Sequence, residues 1–205
     1  MKKLIGKLSF LSCALVLALP ISASAATIET VNGNSSYAKI TQSQLLSQNG
    51  VTIKMNEDKP VQVEFLDGSV EEFTYTLEDI SNTKGTQSSG IMSTRSSGIR
   101  KRATVTRGIK TASLELWGDA TWSNRSVSFD DDVYLDYWGA STSVDEDQTW
   151  VTKRTGSNNN YAKARTRGVC TTTEPATGVQ YNQSFDFEIW LDPANSTNMF
   201  LHINK

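Results

Sequence analysis

Three segments of the chain carry a carboxylate followed two residues later by a tryptophan: Glu115 and Trp117, Asp136 and Trp138, and Glu188 and Trp190. In an extended strand, residues two apart point to the same side. Apolar residues occupy the alternating positions, so we expect each carboxylate and its tryptophan to lie on the face away from the core. Sugars bind to such faces, because their C–H groups stack on indole rings and their hydroxyl groups donate hydrogen bonds to carboxylates.

If the three strands are neighbours, these pairs form one patch of indoles and carboxylates on a single sheet face. Tyr134 lies on the same side of its strand as Asp136 and Trp138 and joins the patch. The predicted ligand-binding residues are therefore Glu115, Trp117, Tyr134, Asp136, Trp138, Glu188 and Trp190. The alternative is structural, because outward tryptophans can be covered by the N-terminal region or pack between cross-strand neighbours, and tryptophan is common in strands.

Two of these carboxylates, Glu115 and Glu188, also allow a catalytic interpretation. A small glycosidase needs its two carboxyl groups about 5–5.5 Å apart for retention, or about 6.5–9.5 Å apart for inversion. The sequence contains no motif of a zinc protease, an α/β-hydrolase, a P-loop or a dinucleotide-binding site. Its one histidine, His202, lies near the C-terminus inside an alternating segment. A non-catalytic protein is therefore the leading hypothesis, and the glycosidase is the alternative.

Two acidic clusters lie where predicted strands meet loops. Calcium prefers such oxygen ligands, and exported β-sandwiches can gain stability from it. The weak calcium candidates are Asp130, Asp132, Asp145 and Asp147. The alternative is that these acids are solvated loop residues. No other cofactor is indicated.

A further set of polar side chains, Tyr161, Lys163, Arg165 and Arg167, shares one face of a single segment. We expect these residues to form a cross-strand charge ladder with an acidic strand, in which each pair contributes only about 0.2–1 kcal/mol. The alternative is a site for an anion or a polyanion.

The elements that position these residues are predicted to be strands. Between residues 103 and 205, segments that alternate apolar and polar residues are separated by turn-rich stretches, and none has a long helical period. Seven or eight strands in about 100 residues are typical of an antiparallel β-sandwich, immunoglobulin-like or jelly-roll. The chain is therefore predicted to be mostly β, with this sandwich as its larger domain.

The N-terminal region, residues 26–80, is predicted to be small and rich in β-structure. An Asp-Gly turn favours a hairpin between two alternating segments. The loop length leaves its register open: a three-residue loop pairs Val63 with Phe73, and a two-residue loop sets Val63 against Glu72. Because so little apolar surface makes a marginal domain alone, this region is interpreted as a pro-region or a lid on the sandwich.

Residues 81–102 form a basic stretch rich in Ser, Gly and Thr. Such a composition cannot bury enough surface to offset its ordering entropy, which predicts a flexible linker. Arg100, Lys101 and Arg102 at its end suit a trypsin-like protease and indicate a processing site. The alternative is a basic linker that lies against two acidic regions.

The first 25 residues are typical of a bacterial secretory signal peptide, with lysines before a short apolar stretch and a cleavage site that ends at Ala25. The apolar stretch is too short to span a bilayer, and no later one is long enough. We therefore expect a secreted, extracellular protein without a membrane span. A net charge of −2, from 20 basic and 22 acidic residues, does not favour nucleic-acid binding.

These observations lead to three hypotheses for the function. The leading one is a secreted binding or interaction protein whose partner is a glycan or a cell-wall polymer, with a protein partner as the other possibility. The second is the small glycosidase. The third is a secreted effector or antimicrobial protein that is matured by cleavage at the basic linker.

Overall fold

The computed structural model describes residues 27–28, 38–48, 50–55, 60–65, 68–80, 98–109 and 112–204. The predicted signal peptide, its cleavage site at Ala25 and residues 81–97 of the predicted linker lie outside this described part.

The described residues form fourteen strands and one short helix. In chain order they are β1 Thr27–Ile28, β2 Ala38–Thr41, α1 Gln42–Gln48, β3 Val51–Lys54, β4 Val61–Glu64, β5 Val70–Asp79, β6 Ile99–Ile109, β7 Ala112–Ser123, β8 Ser126–Phe129, β9 Tyr134–Gly139, β10 Thr142–Lys153, β11 Thr155–Ser157, β12 Ala162–Thr173, β13 Gln180–Leu191 and β14 Met199–Ile203.

The strands form two sheets that enclose one core. A six-stranded sheet has the order β1-β3-β14-β13-β12-β10, and an eight-stranded sheet has the order β11-β8-β7-β6-β5-β4-β2, with β9 also paired to β7. Most neighbouring strands are antiparallel. Leu114 and Leu116 of the eight-stranded sheet lie in the same buried cluster as Phe187 and Ile189 of the six-stranded sheet. The predicted mostly-β sandwich is confirmed.

The alternation of residue types explains which face of each long strand is buried. Along β7, buried and half-buried residues alternate over the whole strand, and Trp122 on its inner side is buried among the core residues. In β13 the buried side chains of Phe185 and Leu191 mark the same inner face. Because the side-chain period of a strand is two, the polar residues between them must face outward.

The N-terminal strands belong to the same two sheets as the rest of the chain. In the eight-stranded sheet, β5 pairs with β6, and in the six-stranded sheet β3 pairs with β14. Ile53 lies opposite Leu201, and Tyr75 lies opposite Val105. The predicted boundary between a small N-terminal domain and a separate sandwich therefore does not describe the fold. The N-terminal region has too little apolar surface for a core of its own, and it does not need one, because it shares its core with the rest of the chain.

The predicted N-terminal hairpin is present, but its register differs from both predicted alternatives. Val61 lies opposite Phe73, and Val63 lies opposite Glu71. The amide of Phe65 donates a hydrogen bond of 2.8 Å to the carbonyl of Ser69, which sets this register. As a result, Glu71 points into the sandwich together with the apolar residues of the hairpin.

Candidate functional site

Five of the predicted ligand-binding residues come together on the outer side of the eight-stranded sheet. Strands β7 and β9 are neighbours, with Glu115 opposite Asp136 and Trp117 opposite Tyr134. Trp138 follows on β9, two residues beyond Asp136. We call this group, Glu115, Trp117, Tyr134, Asp136 and Trp138, the outer aromatic face.

The other two predicted residues, Glu188 and Trp190, lie on β13 in the six-stranded sheet. The apolar residues beside them face the shared core, so this pair points away from the outer aromatic face on the far side of the sandwich. The prediction of one continuous patch is therefore wrong. The physical reason is that β13 joins a different sheet from β7 and β9, which residue alternation within a strand does not reveal.

This separation also bears on the glycosidase that would use Glu115 and Glu188. Packed sheets lie about 10 Å apart, and these two side chains point outward from opposite sheets. Their carboxyl groups are therefore farther apart than the roughly 9.5 Å that an inverting mechanism allows. The two residues cannot act together on one glycosidic bond.

Trp117 is held tightly within the outer aromatic face. Its Nε1 donates a hydrogen bond of 2.7 Å to Oδ2 of Asp136. The guanidinium carbon of Arg102 lies 4.2 Å from the centroid of the indole ring, and the centroid of the Tyr134 ring lies 4.8 Å from it. These contacts leave little of the indole for a ligand, but they fix the position of Tyr134 beside it.

Tyr134 and Trp138 expose the aromatic surface of this face. Each side chain is 49% exposed, which is unusual for large aromatic residues in strands of a sandwich. They lie four residues apart on β9 and share one side of the strand, so their Cα atoms are about 13 Å apart. That separation leaves room for two rings of a polymeric ligand to stack side by side.

The two carboxylates of the outer aromatic face differ in their surroundings. Asp136 is bonded to the Trp117 indole. Burial raises the pKa of Glu115, and the negative charges of Asp136 and Glu78 raise it further, while a hydrogen bond from Thr106 opposes the shift. Glu115 therefore holds a proton more readily than an exposed glutamate does.

Trp190 on the opposite face is covered by its neighbours. Its Nε1 donates a hydrogen bond of 2.7 Å to Oε2 of Glu188. The ring centroids of His202 and Tyr161 lie 4.9 Å and 5.7 Å from that of the indole, and Nζ of Lys163 lies 3.4 Å from it. This tryptophan fits the structural alternative better than the ligand-binding one.

His202 is a buried member of this cluster. Its Nδ1 is joined to Oγ1 of Thr52 by a hydrogen bond of 2.7 Å. Burial lowers the pKa of His202 below its ordinary value of 6.5, and the negative charge of Glu188 only partly offsets this. The imidazole is therefore neutral at pH 7 in the folded protein.

The predicted charge ladder is present around Arg165. Its Nε donates a hydrogen bond of 2.8 Å to Oδ1 of Asp186, and its Nη1 lies 3.5 Å from Oε1 of Glu188. The Trp150 ring centroid is 5.6 Å from the guanidinium carbon of Arg165 and 5.7 Å from that of Arg167. Arg165 of β12 thus pairs with two carboxylates of β13, and it is the predicted ladder member for which these ion pairs are seen.

Arginines accompany the acids of the first predicted calcium cluster. Oδ2 of Asp130 accepts a hydrogen bond of 2.6 Å from Arg100, and Oδ1 of Asp132 lies 3.5 Å from Nη2 of Arg154. Each of these two carboxylates therefore has an arginine beside it.

In the second predicted calcium cluster, Asp145 is exposed on β10, and the side chain of Asp147 lies outside the described part. Among the residues that the structure describes, no three His, Cys, Asp or Glu side chains are grouped to hold a metal ion.

The predicted processing residues lie within a strand. Arg100, Lys101 and Arg102 are part of β6, and their backbones pair with β7 on one side. The backbones of the last two also pair with β5. A trypsin-like protease binds an extended and unpaired segment, so these peptide bonds are protected in the folded chain. The predicted linker therefore ends before Ile99.

Acids on neighbouring strands explain why so basic a segment can lie inside a sheet. Arg102 donates a hydrogen bond of 2.8 Å to Asp119 on β7, and Nζ of Lys101 lies 3.7 Å from Asp79 on β5.

One charged cluster was not predicted from the sequence. Arg107 and Glu71 form an ion pair in the interior of the sandwich, where they are 5% and 2% exposed. Gln183 donates to the same carboxylate, and Arg107 also donates to the carbonyl of Ser184 at 3.3 Å. The cluster ties β5 and β6 to β13 across the core. The sequence could have indicated this cluster only through Glu71, because a hairpin with Val63 opposite Glu71 directs that acid inward. Neither of the predicted registers has this pairing.

The chain matches no family model, no curated protein and no solved structure. None of the helices in the described part of the chain is long and apolar enough to cross a membrane.

Proposed function

We propose that this chain is an exported, non-catalytic binding protein that holds a glycan or a cell-wall polymer on its outer aromatic face. The observation that carries the proposal is the 49% exposure of both Tyr134 and Trp138 on one side of β9. Burying such rings is favourable, so a folded protein that keeps these two exposed, with Tyr137 equally exposed on the other side of the same strand, has a surface suited to a partner.

Polar groups beside these rings support a sugar as the partner. Glu115 and Asp136 lie directly opposite each other between the aromatic residues. Their oxygens can accept hydrogen bonds from sugar hydroxyl groups while the C–H faces of the sugar stack on Tyr134 and Trp138. An outward-facing sheet surface of this kind suits a polymer better than a small molecule, because it has no enclosing walls.

The test is retention of the full-length mature protein on insoluble peptidoglycan, chitin and cellulose. Stacking on each exposed ring should contribute about 1–1.5 kcal/mol, so Trp138→Ala and Tyr134→Ala should each weaken binding roughly tenfold. The melting temperature of Trp138→Ala should stay close to that of the wild type, and Tyr134→Ala should lower it only by the loss of the ring contact with Trp117. Tyr181→Ala is the matched control, because Tyr181 is a similarly exposed aromatic residue, 41% exposed, in the six-stranded sheet.

Two results would overturn the proposal. One is a wild-type protein that none of the polymers retains. The other is equal retention of the Trp138→Ala, Tyr134→Ala and Tyr181→Ala variants, which would place binding elsewhere.

A glycosidase on the same face is the second candidate, and it uses Asp136 in place of Glu188. Glu115 and Asp136 are cross-strand partners, and such partners have Cβ atoms about 4.5–5.5 Å apart. Side chains on Cβ atoms this close can bring their carboxyl groups to the separation of about 5–5.5 Å that a retaining mechanism uses. Glu115→Gln separates the candidates: it abolishes the release of reducing sugar by an enzyme, whereas a binding protein retains its polymer with at most a several-fold weaker affinity.

Export is the remaining part of the proposal, and it rests on the sequence of the first 25 residues. The intact mass of the protein recovered from the medium should correspond to a chain that begins near Ala26. A mass that includes a diacylglyceryl group on Cys13 would show a lipid-anchored protein instead.

A further inference from the structure

A surface depression of about 490 Å³ lies on the outer side of the six-stranded sheet, at the β10–β12 edge. The groups that line it include Thr152, Lys153, Asn159, Asn160, Tyr161 and Lys163. Nothing in the outer aromatic face contributes to it, because that face lies on the other side of the sandwich.

A β-bulge brings the two lysines of this depression together. Val151 lies opposite Ala164, and the next aligned pair is Lys153 opposite Lys163, so Thr152 is an extra residue. In a regular strand, Lys153 would share the inward side with Val151. The bulge turns Lys153 to the outer side, and bulges are common where a strand must aim a side chain at a functional site.

The resulting arrangement sets two positive charges directly opposite each other. Like charges at opposed positions of an antiparallel pair are destabilising. In the described part of the chain, neither Lys153 nor Lys163 forms an ion pair with a carboxylate. The fold therefore tolerates a repulsion that a bound anion would remove.

The carboxylate of the same depression, that of Glu188, already has other hydrogen-bond and ion-pair partners. Glu188 lines the same depression, but its Oε2 accepts the hydrogen bond from Trp190, and its Oε1 lies 3.5 Å from Arg165. Glu188 attracts the Lys163 charge at longer range without neutralising both ammonium groups. The depression thus keeps an excess of positive charge.

Lys163 is held in place before any ligand arrives. Its Nζ lies 3.4 Å from the centroid of the Trp190 ring, a cation–π contact that fixes a flexible side chain. Burial lowers the pKa of Lys163, and the charge of Lys153 adds to this effect. An ammonium group that is already ordered and partly desolvated loses less on binding an anion than a free surface lysine does.

We propose that this depression binds a compact oxyanion, a carboxylate or a phosphate group, with Lys153 and Lys163 as its charged ligands. The amides of Asn159 and Asn160 and the hydroxyl of Tyr161 can donate further hydrogen bonds to the group that carries the anion. The site is independent of the outer aromatic face and stands even if that face binds nothing.

The test measures the melting temperature of the full mature chain with added inorganic phosphate or galacturonate, and with neutral galactose as the uncharged control. Ionic strength is kept equal with NaCl, because screening alone changes surface electrostatics. One or both anions should raise the melting temperature in a saturable way, and galactose should not. A response to phosphate alone or to galacturonate alone identifies the group that the site prefers.

The lysine variants should separate binding from folding. Lys153→Gln and Lys163→Gln should each weaken anion binding by about tenfold or more. The melting temperature of the unliganded Lys153→Gln protein should stay the same or rise, because the substitution removes the repulsion between the two lysines. Lys54→Gln is the matched control, since Lys54 lies in the same sheet three strands from Lys163, about 14 Å away, and should bind as the wild type does.

Two results would overturn the proposal. The first is a wild-type melting temperature that neither anion raises above that in NaCl. The second is a Lys54→Gln variant that loses as much affinity as Lys153→Gln, which would indicate general surface charge. If Lys163→Gln does not fold because it loses its contact with Trp190, Lys153→Gln decides the question, because Lys153 is exposed.

Discussion

The two outer sides of the sandwich use the same carboxylate–tryptophan pattern in different ways. On the six-stranded sheet, Trp190 donates its indole hydrogen bond to Glu188 of its own strand. On the eight-stranded sheet, Trp117 donates instead to Asp136 of the neighbouring strand. An indole N–H needs one acceptor, so the choice of acceptor decides which carboxylate stays available. Glu115 is not the acceptor of the Trp117 indole, because β9 supplies Asp136 for that bond.

The two sides also differ in what they present to water. Around Trp190, the side chains of Tyr161, Lys163 and His202 cover the indole, and the accessible groups are mainly charged. Around Trp117, the covering residue Tyr134 is itself half exposed, and Trp138 is exposed beside it. The same pattern therefore produces a charged surface over one sheet and an aromatic surface over the other.

The largest expected effect comes from removing one tryptophan from each side. Trp190→Ala should lower the free energy of unfolding by about 3 kcal/mol, the low end of the range for a large aromatic core residue, because it leaves three neighbours without their contact. Trp138→Ala should change the same quantity by less than about 0.5 kcal/mol. Denaturant unfolding followed by circular dichroism measures both values. Similar losses in the two variants would erase the structural distinction between the sides.

The next effect in size is a pH dependence of the free energy of unfolding, which is caused by His202 in the six-stranded sheet. The pKa of His202 is lowered in the folded state, so the unfolded chain binds its proton first as the pH falls. The contribution of neutral His202 to the free energy of unfolding should be fully present above pH 6.5, the ordinary pKa value. At lower pH the free energy of unfolding should decrease by up to about 1.4 kcal/mol per pH unit.

Unfolding free energies between pH 7 and pH 5 measure this dependence. His202→Gln should flatten the decline over this range, and Trp138→Ala should leave it unchanged. A decline that persists in full in His202→Gln would assign it to other groups.

The smallest effects have opposite signs on the two sides. Glu188→Gln should lower the free energy of unfolding by about 1 kcal/mol, because it removes the charge that Arg165 pairs with. Glu115→Gln should raise it at pH 7 by a few tenths of a kcal/mol, since burial and Asp136 disfavour the ionised form of Glu115.

The sign for Glu115 follows from its raised pKa. Its favourable contribution to stability is present below the ordinary value of 4.5 and is lost as the pH rises through the folded-state pKa. The difference between Glu115→Gln and the wild type should therefore vanish near pH 4. Destabilisation by Glu115→Gln at pH 7 would show that the hydrogen bond from Thr106 and the charge of Arg102 outweigh the cost of burying the ionised carboxyl group.

Residue alternation predicted many of the side chains that enter the core, but it failed at Tyr137 of β9, which is 49% exposed. Leu114, Leu116, Phe187 and Ile189 are all fully buried, as a period of two requires. The same alternation could not predict that β13 lies in the other sheet from β7, because strand neighbours are chosen by contacts between distant parts of the chain. The sequence therefore predicted all five residues of the outer aromatic face, but it also assigned Glu188 and Trp190 to that face, and these lie on the other sheet.

The local density of charged residues gave wrong secondary-structure predictions for segments whose charges are neutralised by residues on other strands. The acidic first half of β10, from Thr142 onward, was not predicted as a strand because aspartate and glutamate are depleted in strands. Likewise, Arg102 was assigned to a linker, although Asp119 on β7 neutralises it within the sheet. The composition of a short segment carries no information about an ion-pair partner that is distant in the sequence. The buried pair of Glu71 and Arg107 is the extreme case.

The pairing of β3 with β14 has a consequence for how the protein folds. Thr52 and His202 are hydrogen-bonded partners that lie 150 residues apart, and β14 inserts between β13 and β3. A chain that emerges N-terminus first from the ribosome holds β3 without this neighbour until β14 has emerged. Closing so long a loop makes folding slow. The six-stranded sheet is therefore completed only after β14 has been synthesised, so its order follows the order of synthesis least closely at β3.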